Sequence, residues 1–358
     1  MVASAYAIKK LEIELPQAEC KNRCKFCSNY GGQTVDTPMT KEEVFGIVGD
    51  FAEMGGKVLV LSGGEPLENP FVYDLIGHSK SKLPQVNVYT SGYLLDDENV
   101  RKLGSLHVDL LYITINGTEA THDFLADSPG SYRQSILGLE RAAKEGIRVS
   151  VSFIPMKVNW REWRQVLQTT SALGAKEIRF IDFMPQGRGW DNRAILEPSP
   201  KEYQMFLEEL VGGLPNILES TNIEAWSGEN FAFLLDDGSF PLPTCSAGTS
   251  GLTITPEGYI IPCLGCRTEP GSMRPAEEYV LGRYRLGPEN FLDNVWRTSP
   301  VLKSFRGQAP DKLRGKCRNC VELARCKGGC PIRRKIQSGD MMTGPDNRCI
   351  IKLVRRVR

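Results

Sequence analysis

The 358-residue chain has only three histidines, no long hydrophobic run and almost no net charge, with 44 lysines and arginines against 43 aspartates and glutamates. Each scarcity excludes something. A formal charge of +1 gives no electrostatic footprint for nucleic acid, and the basic tail, residues 350–358, is too short to change that. No stretch approaches the roughly 18 apolar residues of a membrane helix, and Met1 to Lys10 has no apolar core behind a basic start, so a cytoplasmic protein is expected. His78, His107 and His122 are scattered, and none is a persuasive catalyst or metal ligand.

Cysteine, by contrast, is plentiful. An odd count of 11 in a large chain expected in a reducing compartment argues for metal ligation over a disulfide framework. Cys20, Cys24 and Cys27 form C-x3-C-x2-C just after an apolar, strand-like run. Three thiolates can hold three corners of a cubane, and the fourth iron then stays open to a small molecule. A zinc knuckle is the alternative, although a closed zinc site wants a fourth ligand and no histidine lies nearby.

The other eight cysteines, Cys245, Cys263, Cys266, Cys317, Cys320, Cys326, Cys330 and Cys349, all fall in the last third. Lys327-Gly328-Gly329 between Cys326 and Cys330 permits the tight backbone that cluster loops need. Two closed four-thiolate zinc sites are the competing interpretation.

From residue 8 to about 210, short apolar runs alternate with helix-period segments, the pattern of repeated β/α units around a parallel sheet. Six strands are expected, at 8–15, 57–61, 86–90, 110–115, 149–154 and 178–183, each followed by helix. The first helix should open at Thr40 with acidic residues in its first turn and close at Gly55-Gly56. Such folds gather their chemistry at the carboxyl ends of strands. There stand Ser62-Gly63-Gly64-Glu65-Pro66, Thr90-Ser91-Gly92, Thr114-Ile115-Asn116-Gly117 and Pro185-Gln186-Gly187. Gly63 and Gly64 let backbone carbonyls approach a ligand, and with Glu65 they could accept from an ammonium group, although a Gly-Gly-Glu-Pro turn can equally be a plain tight loop.

C-x3-C-x2-C after the first strand, with Phe26 before its third cysteine, and Gly63-Gly64-Glu65 after the second resemble the radical S-adenosylmethionine (SAM) superfamily. The order Cys245, Gly258, Cys263, then C-x2-C-x5-C-x3-C and Cys349 is similar to the SPASM domain of that superfamily. The resemblance implies a partial (β/α)6 TIM-like barrel over residues 8–190, a bridge over 191–244 with a helix-like stretch at 199–210, and a SPASM domain over 245–349. It implies that Cys20, Cys24 and Cys27 hold a [4Fe-4S] cluster whose open iron is chelated by SAM. Gly63, Gly64 and Glu65 would meet the SAM ammonium, Thr90 and Ser91 its ribose side, and Thr114 or Asn116 its carboxylate or ribose. His122-Asp123 matches a frequent pair, the arginine usual after it is missing, and Arg133 would bind the carboxylate in its place. Two auxiliary iron-sulfur clusters are implied, one on Cys317, Cys320, Cys326 and Cys349, the other on Cys245, Cys263 and Cys330 with Cys266 as fourth ligand; a free thiol is the other role for Cys266.

The implied activity is reductive cleavage of SAM to a 5′-deoxyadenosyl radical that takes hydrogen from a peptide or protein side chain, giving a crosslink or dehydrogenation. A small-molecule or cofactor-biosynthesis enzyme of the same family is the alternative, and Cys27-Ser28-Asn29 is similar to its pyrroloquinoline quinone branch. A non-catalytic electron carrier would have no use for the Gly63-Gly64-Glu65 turn. A reductant such as flavodoxin or ferredoxin is implied. With about seven residues before the first strand, a separate precursor-recognition protein or direct recognition by the barrel is expected. Leu264 stands where anaerobic sulfatase maturases place aspartate, which argues against that branch. Asp182 and Tyr30 are expected near the barrel mouth, in structural contacts.

Overall fold

Alternation with period two organises the strands. Lys10-Leu11-Glu12-Ile13-Glu14-Leu15, Gln85-Val86-Asn87-Val88-Tyr89-Thr90 and Val149-Ser150-Val151-Ser152-Phe153 each place apolar residues at every second position, and successive side chains of a strand point to opposite faces. The computed structural model describes residues 6–16, 20–33, 35–221, 223–227, 245–267, 274–287, 290–307, 310–345 and 348–349.

In it the chain forms β1 (Lys10–Leu15), β2 (Val58–Gly63), β3 (Gln85–Thr90), β4 (Leu110–Thr114), β5 (Val149–Phe153), β6 (Glu177–Phe180), β7 (Glu224–Ser227), β8 (Gly251–Ile254), β9 (Tyr259–Ile261) and β10 (Gly282–Arg283). The helices between them include α1 (Lys41–Glu53), α2 (Val72–Lys80), α3 (Asp97–Ser105), α4 (Glu119–Ala126), α5 (Ser131–Lys144), α6 (Trp163–Ala172), the short α7 (Arg188–Asp191) and α8 (Arg193–Leu196), and α9 (Pro200–Ser220).

One sheet holds these ten strands in the order β10-β9-β8-β1-β2-β3-β4-β5-β6-β7. From β8 to β7 every neighbouring pair is parallel, and β9 and β10 add antiparallel strands beyond β8. The sheet is open, with β10 and β7 as its edges. It curls strongly: a flat sheet would separate β3 from β6 by roughly 14 Å, yet the Arg179 guanidinium on β6 donates to the Tyr89 hydroxyl on β3 at 2.9 Å.

The outer face carries Leu11, Ile13, Leu59, Leu61, Val86, Val88, Leu111, Ile113, Val149, Val151, Ile178 and Phe180, which share one core with Val44, Ile47 and Phe51 of α1 and Leu139 of α5. The inner face carries Glu14 in register with Ser62, Tyr89 with Tyr112, Thr114 with Ser152, and Ser152 with Arg179. Parallel strands covered on both sides usually read as continuous apolar runs; here the polar inner face marks a cavity.

The partial barrel and its six strands over residues 8–190 are as expected, and two further parallel strands extend the sheet. A seventh strand, β7, comes from the bridge, and an eighth parallel strand, β8, comes from the cysteine-rich region and pairs with β1. Four residues each, they offer too little pattern to be found in sequence. The expected sixth strand shortens to end at Phe180, and downstream the Phe183 carbonyl accepts from Arg348 Nη2 at 2.7 Å and from Arg333. Arginines from the C-terminal region thus hold this carbonyl outside the sheet. Helix α1 begins as expected, with a reciprocal capping box between Thr40 and Glu43, and Gly55 beyond its end has φ +79°. Helix α9, capped by Ser199 and Glu202, runs to Ser220, past the expected residue 210.

Candidate active site

At the carboxyl ends of the strands lies a cavity of about 360 Å³. Cys20, Cys24 and Cys27 line it together with Gly63, Gly64, Thr90, Ser91 and Thr114, so the structure brings the triplet and most of the expected SAM contacts to one place. The cysteine loop is clamped from the segment after β6. Arg188 donates from Nε to the Cys24 carbonyl at 2.9 Å and from Nη2 to the Gly31 carbonyl at 3.1 Å, and Asn192 Nδ2 donates to the Lys25 carbonyl at 3.2 Å. Gly187 has φ +52°, and a Cβ there would lie 2.6 Å from the Cys27 carbonyl oxygen. Nothing in the sequence pattern points to Arg188 or Asn192; their only signal is position just beyond strand six.

Burial pushes the Cys20 thiol up to about 12, with Glu65 and Cys27 adding repulsion, and burial followed by its two cysteine neighbours raises Cys24 further. Two buried thiols, Cys20 and Cys24, need a cation at hand to ionise. The donor set fits an iron-sulfur cluster: three thiols share one cavity wall, and thiolates are the usual cluster ligands. Cys27 Sγ also accepts from the Gly31 N–H at 3.2 Å, a bond of the kind that orients a ligand and tunes a cluster, and its thiol donates to Asn29 Oδ1 at 2.9 Å.

Several expected SAM contacts stand behind the wall rather than in it. Glu65 is 1% exposed; its carboxylate accepts from the Ser91 N–H at 2.8 Å and hydroxyl at 2.6 Å, and from the Leu67 N–H at 3.4 Å. It fixes the Gly63-Gly64 turn to the end of β3. Asn116 Oδ1 accepts from the Ile154 N–H at 2.8 Å, tying β4 to β5, so its carbonyl oxygen is committed to the fold. Arg133 is exposed on α5, whose buried face is taken by Ser131 and Ser135, and it does not line the cavity.

His122 does line the cavity. Its Nδ1 accepts from the Asn116 N–H at 3.2 Å, its Nε2 lies 3.3 Å from Ser131 Oγ, and burial lowers it to about 4, so it is a neutral structural imidazole. Asp123 caps α5, accepting from Gly130 and Tyr132 N–H groups at 2.6 and 2.7 Å. Asp182 lines the cavity and accepts on Oδ1 from the Tyr203 hydroxyl and from Arg348 Nη1, each at 2.6 Å. Tyr30 is buried in a neighbouring small cleft.

The cysteine-rich region meets the same cavity through Leu264 and Gly265, directly after Cys263. Cys245, Cys263, Cys266 and Cys330 pack into one small apolar cluster, with Cys263 and Cys266 sulfurs 3.8 Å apart. Cys317 and Cys320 share a turn, the Cys320 N–H bonding the Cys317 carbonyl at 3.1 Å. Lys327, Gly328 and Gly329 have φ of 54°, 83° and 73°, the tight turn that their sequence suggested.

A curled parallel sheet with a three-thiolate loop at its carboxyl edge and a cysteine-rich domain against it defines an iron-sulfur enzyme that binds a small cofactor beside its cluster. The radical SAM superfamily profile matches residues 15–170, and an iron-sulfur cluster-binding domain profile, SPASM, matches 245–321. The chain thus carries a radical SAM domain and a SPASM domain and is an enzyme, and its cofactors are SAM and iron-sulfur clusters. It is 26% identical over 359 residues to an AdoMet-dependent heme synthase of Methanosarcina barkeri, covering 96% of both chains. It is also 26% identical over 334 residues to a PqqA peptide cyclase of Methylocella silvestris, covering 90% of this chain and 84% of that one. In fold it is similar to anSMEcpe with bound AdoMet, with a TM-score of 0.75, 17% identity and 97% of each chain covered. Streptococcus suis SuiB bound to the precursor peptide SuiA gives a TM-score of 0.72 at 15% identity, covering 96% of this chain and 76% of that one. Among the described residues no helix is long and apolar enough to cross a membrane.

Proposed function

We propose that this enzyme oxidatively modifies a peptide or protein side chain, forming a crosslink or a dehydrogenated residue. The observation that carries the proposal is the shared cavity, faced by the Cys20, Cys24 and Cys27 thiols on one side and by Leu264 and Gly265 on the other. About 360 Å³ is at the low end for small-molecule sites, which run roughly 300–1,000 Å³. The relatives named PqqA peptide cyclase and mycofactocin maturase support the same reading.

In this reading Cys20, Cys24 and Cys27 hold the SAM cluster, the Gly63-Gly64 carbonyls receive the SAM ammonium, and Thr90, Ser91 and Thr114 face the rest of the cofactor. Bound there, the reduced cluster and SAM supply a 5′-deoxyadenosyl radical that removes hydrogen from the substrate. The chain's own work is to fix the turn through Glu65, hold the loop through Arg188 and exclude water. Cys245, Cys263, Cys266 and Cys330, and Cys317, Cys320, Cys326 and Cys349, would hold auxiliary clusters, whose chemistry is one-electron transfer. A flavodoxin- or ferredoxin-type donor supplies the reducing electron, and a separate protein can deliver the precursor.

A cofactor-biosynthesis reaction on a small molecule is the second reading, favoured by the heme synthase relative that matches over 96% of both chains. Anaerobic reconstitution with dithionite and SAM should yield 5′-deoxyadenosine from wild type and none above background from Cys24→Ala. With the correct peptide the product should be lighter by two hydrogen atoms. A substrate turned over only as a free small molecule would transfer the assignment to the second reading.

A further inference from the structure

Arg188 is the only lysine or arginine among the described residues that line the cavity. The acids on that wall are already matched, Glu14 by Arg267, Asp182 by Arg348 and Glu12 by Lys10. The other cations of the cysteine loop are committed elsewhere: Lys21 and Arg23 are exposed, where water screens them, and Lys25 is paired with Asp127. Arg188 instead directs Nε and Nη2 to the backbone carbonyls of Cys24 and Gly31, which are neutral groups, so its positive charge stays uncancelled against the loop.

Two effects on the thiolates follow. The guanidinium is the charge that opposes burial and cysteine repulsion at Cys24, whereas the charged groups Glu65 and Glu68 act at Cys20 in the opposite direction. Arg188 also holds the carbonyl of Gly31, the residue whose N–H donates to Cys27 Sγ at 3.2 Å. The neighbouring Gly189 N–H adds a bond to the Cys27 carbonyl at 3.3 Å. Nearby charge and hydrogen bonds to sulfur are the two levers by which a protein sets the potential of an iron-sulfur cluster. Reduction adds one negative charge, which a fixed cation close by favours.

We propose that Arg188 raises the reduction potential of the cluster on Cys20, Cys24 and Cys27, through its charge and through the Gly31 hydrogen bond that it holds in place. The inference rests on these three cysteines forming the SAM-cluster loop. In the step concerned, one electron passes from an external one-electron donor, which is oxidised, to the cluster, which goes from the 2+ to the 1+ state; no bond breaks and no proton moves. Arg188 acts through the loop and is a positioning residue. A clamp alone would change how much cluster assembles and leave the potential of the assembled cluster where it was.

The test is an anaerobic redox titration of the reconstituted enzyme followed by electron paramagnetic resonance, reading the signal that added SAM alters so that the auxiliary clusters are set apart. Arg188→Gln and Arg188→Met remove the charge. At the wild-type midpoint their reduced-to-oxidised ratio should be about tenfold lower, which is 59 mV for a one-electron couple. Arg188→Lys keeps the charge and should stay within about threefold of wild type. Asn192→Ala removes the bond to the Lys25 carbonyl without changing charge, and should leave the ratio unmoved even where it lowers iron content. Either neutral variant decides if it assembles the cluster: a wild-type ratio, or a shift equalled by Arg188→Lys or Asn192→Ala, would overturn the proposal. Failure of both neutral variants to assemble it would overturn the proposal too, by making Arg188 a residue of assembly alone. Iron retained in full by Cys24→Ala would instead remove the cluster-loop reading, so the two failures are distinguishable.

Discussion

Arg267, the residue after Cys266, donates to Glu14 on β1 across 253 positions of sequence, with side chains 4% and 1% exposed. The other oxygen of Glu14 accepts from Asn29 Nδ2 at 2.8 Å, and Asn29 Oδ1 contacts Cys27 Sγ at 2.9 Å. A single polar chain thus joins the loop of Cys20, Cys24 and Cys27 to the cysteine-rich region. Arg267→Ala should destabilise the protein by about 3–5 kcal/mol, because it leaves a buried carboxylate uncompensated. Adding Glu14→Gln should recover part of the loss, read as the denaturant midpoint of the double variant against each single one.

Gly187→Ala should selectively damage the SAM-cluster loop. The new Cβ would meet the Cys27 carbonyl at 2.6 Å on a backbone that already has positive φ, a combination costing on the order of 1–3 kcal/mol in strain alone. Reconstituted variant should bind less iron and make less 5′-deoxyadenosine, while the auxiliary-cluster signals persist in its electron paramagnetic resonance spectrum.

Acid should weaken the fold through His122. Burial lowers its imidazole from 6.5 to about 4, so between those pH values the unfolded chain takes up a proton that the folded one refuses. Stability is complete above pH 6.5 and falls as pH drops toward 4, by on the order of 3 kcal/mol. His122→Asn should flatten that part of the profile when urea unfolding of the cluster-free protein is compared at pH 7 and pH 5.

Cys266→Ala should lower iron by about one cluster, roughly four atoms per chain, if Cys266 is a ligand. Its thiol is buried in the apolar cluster with Cys245, Cys263 and Cys330, so the surrounding chain should stay folded. Unchanged iron and sulfide in the variant would assign Cys266 to the apolar packing alone.

Short-range spacing carried the chemistry. C-x3-C-x2-C, the Gly63-Gly64-Glu65 turn and the eight later cysteines identify radical SAM chemistry because cluster ligation and close backbone approach depend on residues only a few positions apart. The structural partners of Glu65 and Asn116 and the exposure of Arg133 were not legible. Whether a carboxylate faces a ligand or a neighbouring backbone N–H depends on Ser91, which comes from another strand. The alternation of β1, β3 and β5 does contain the polar inner face, yet only with the sheet curled does that face become a cavity wall.

By itself, then, the sequence determined the cofactors, the β/α repeat and the cysteine-rich domain, all properties of local pattern. Tertiary structure decided that β8 joins the core sheet beside β1, that Arg188 clamps the cysteine loop and that Arg267 and Arg348 neutralise two cavity acids. Those outcomes depend on partners 160 or more positions away, where burial and chain topology, not spacing, choose which charges meet.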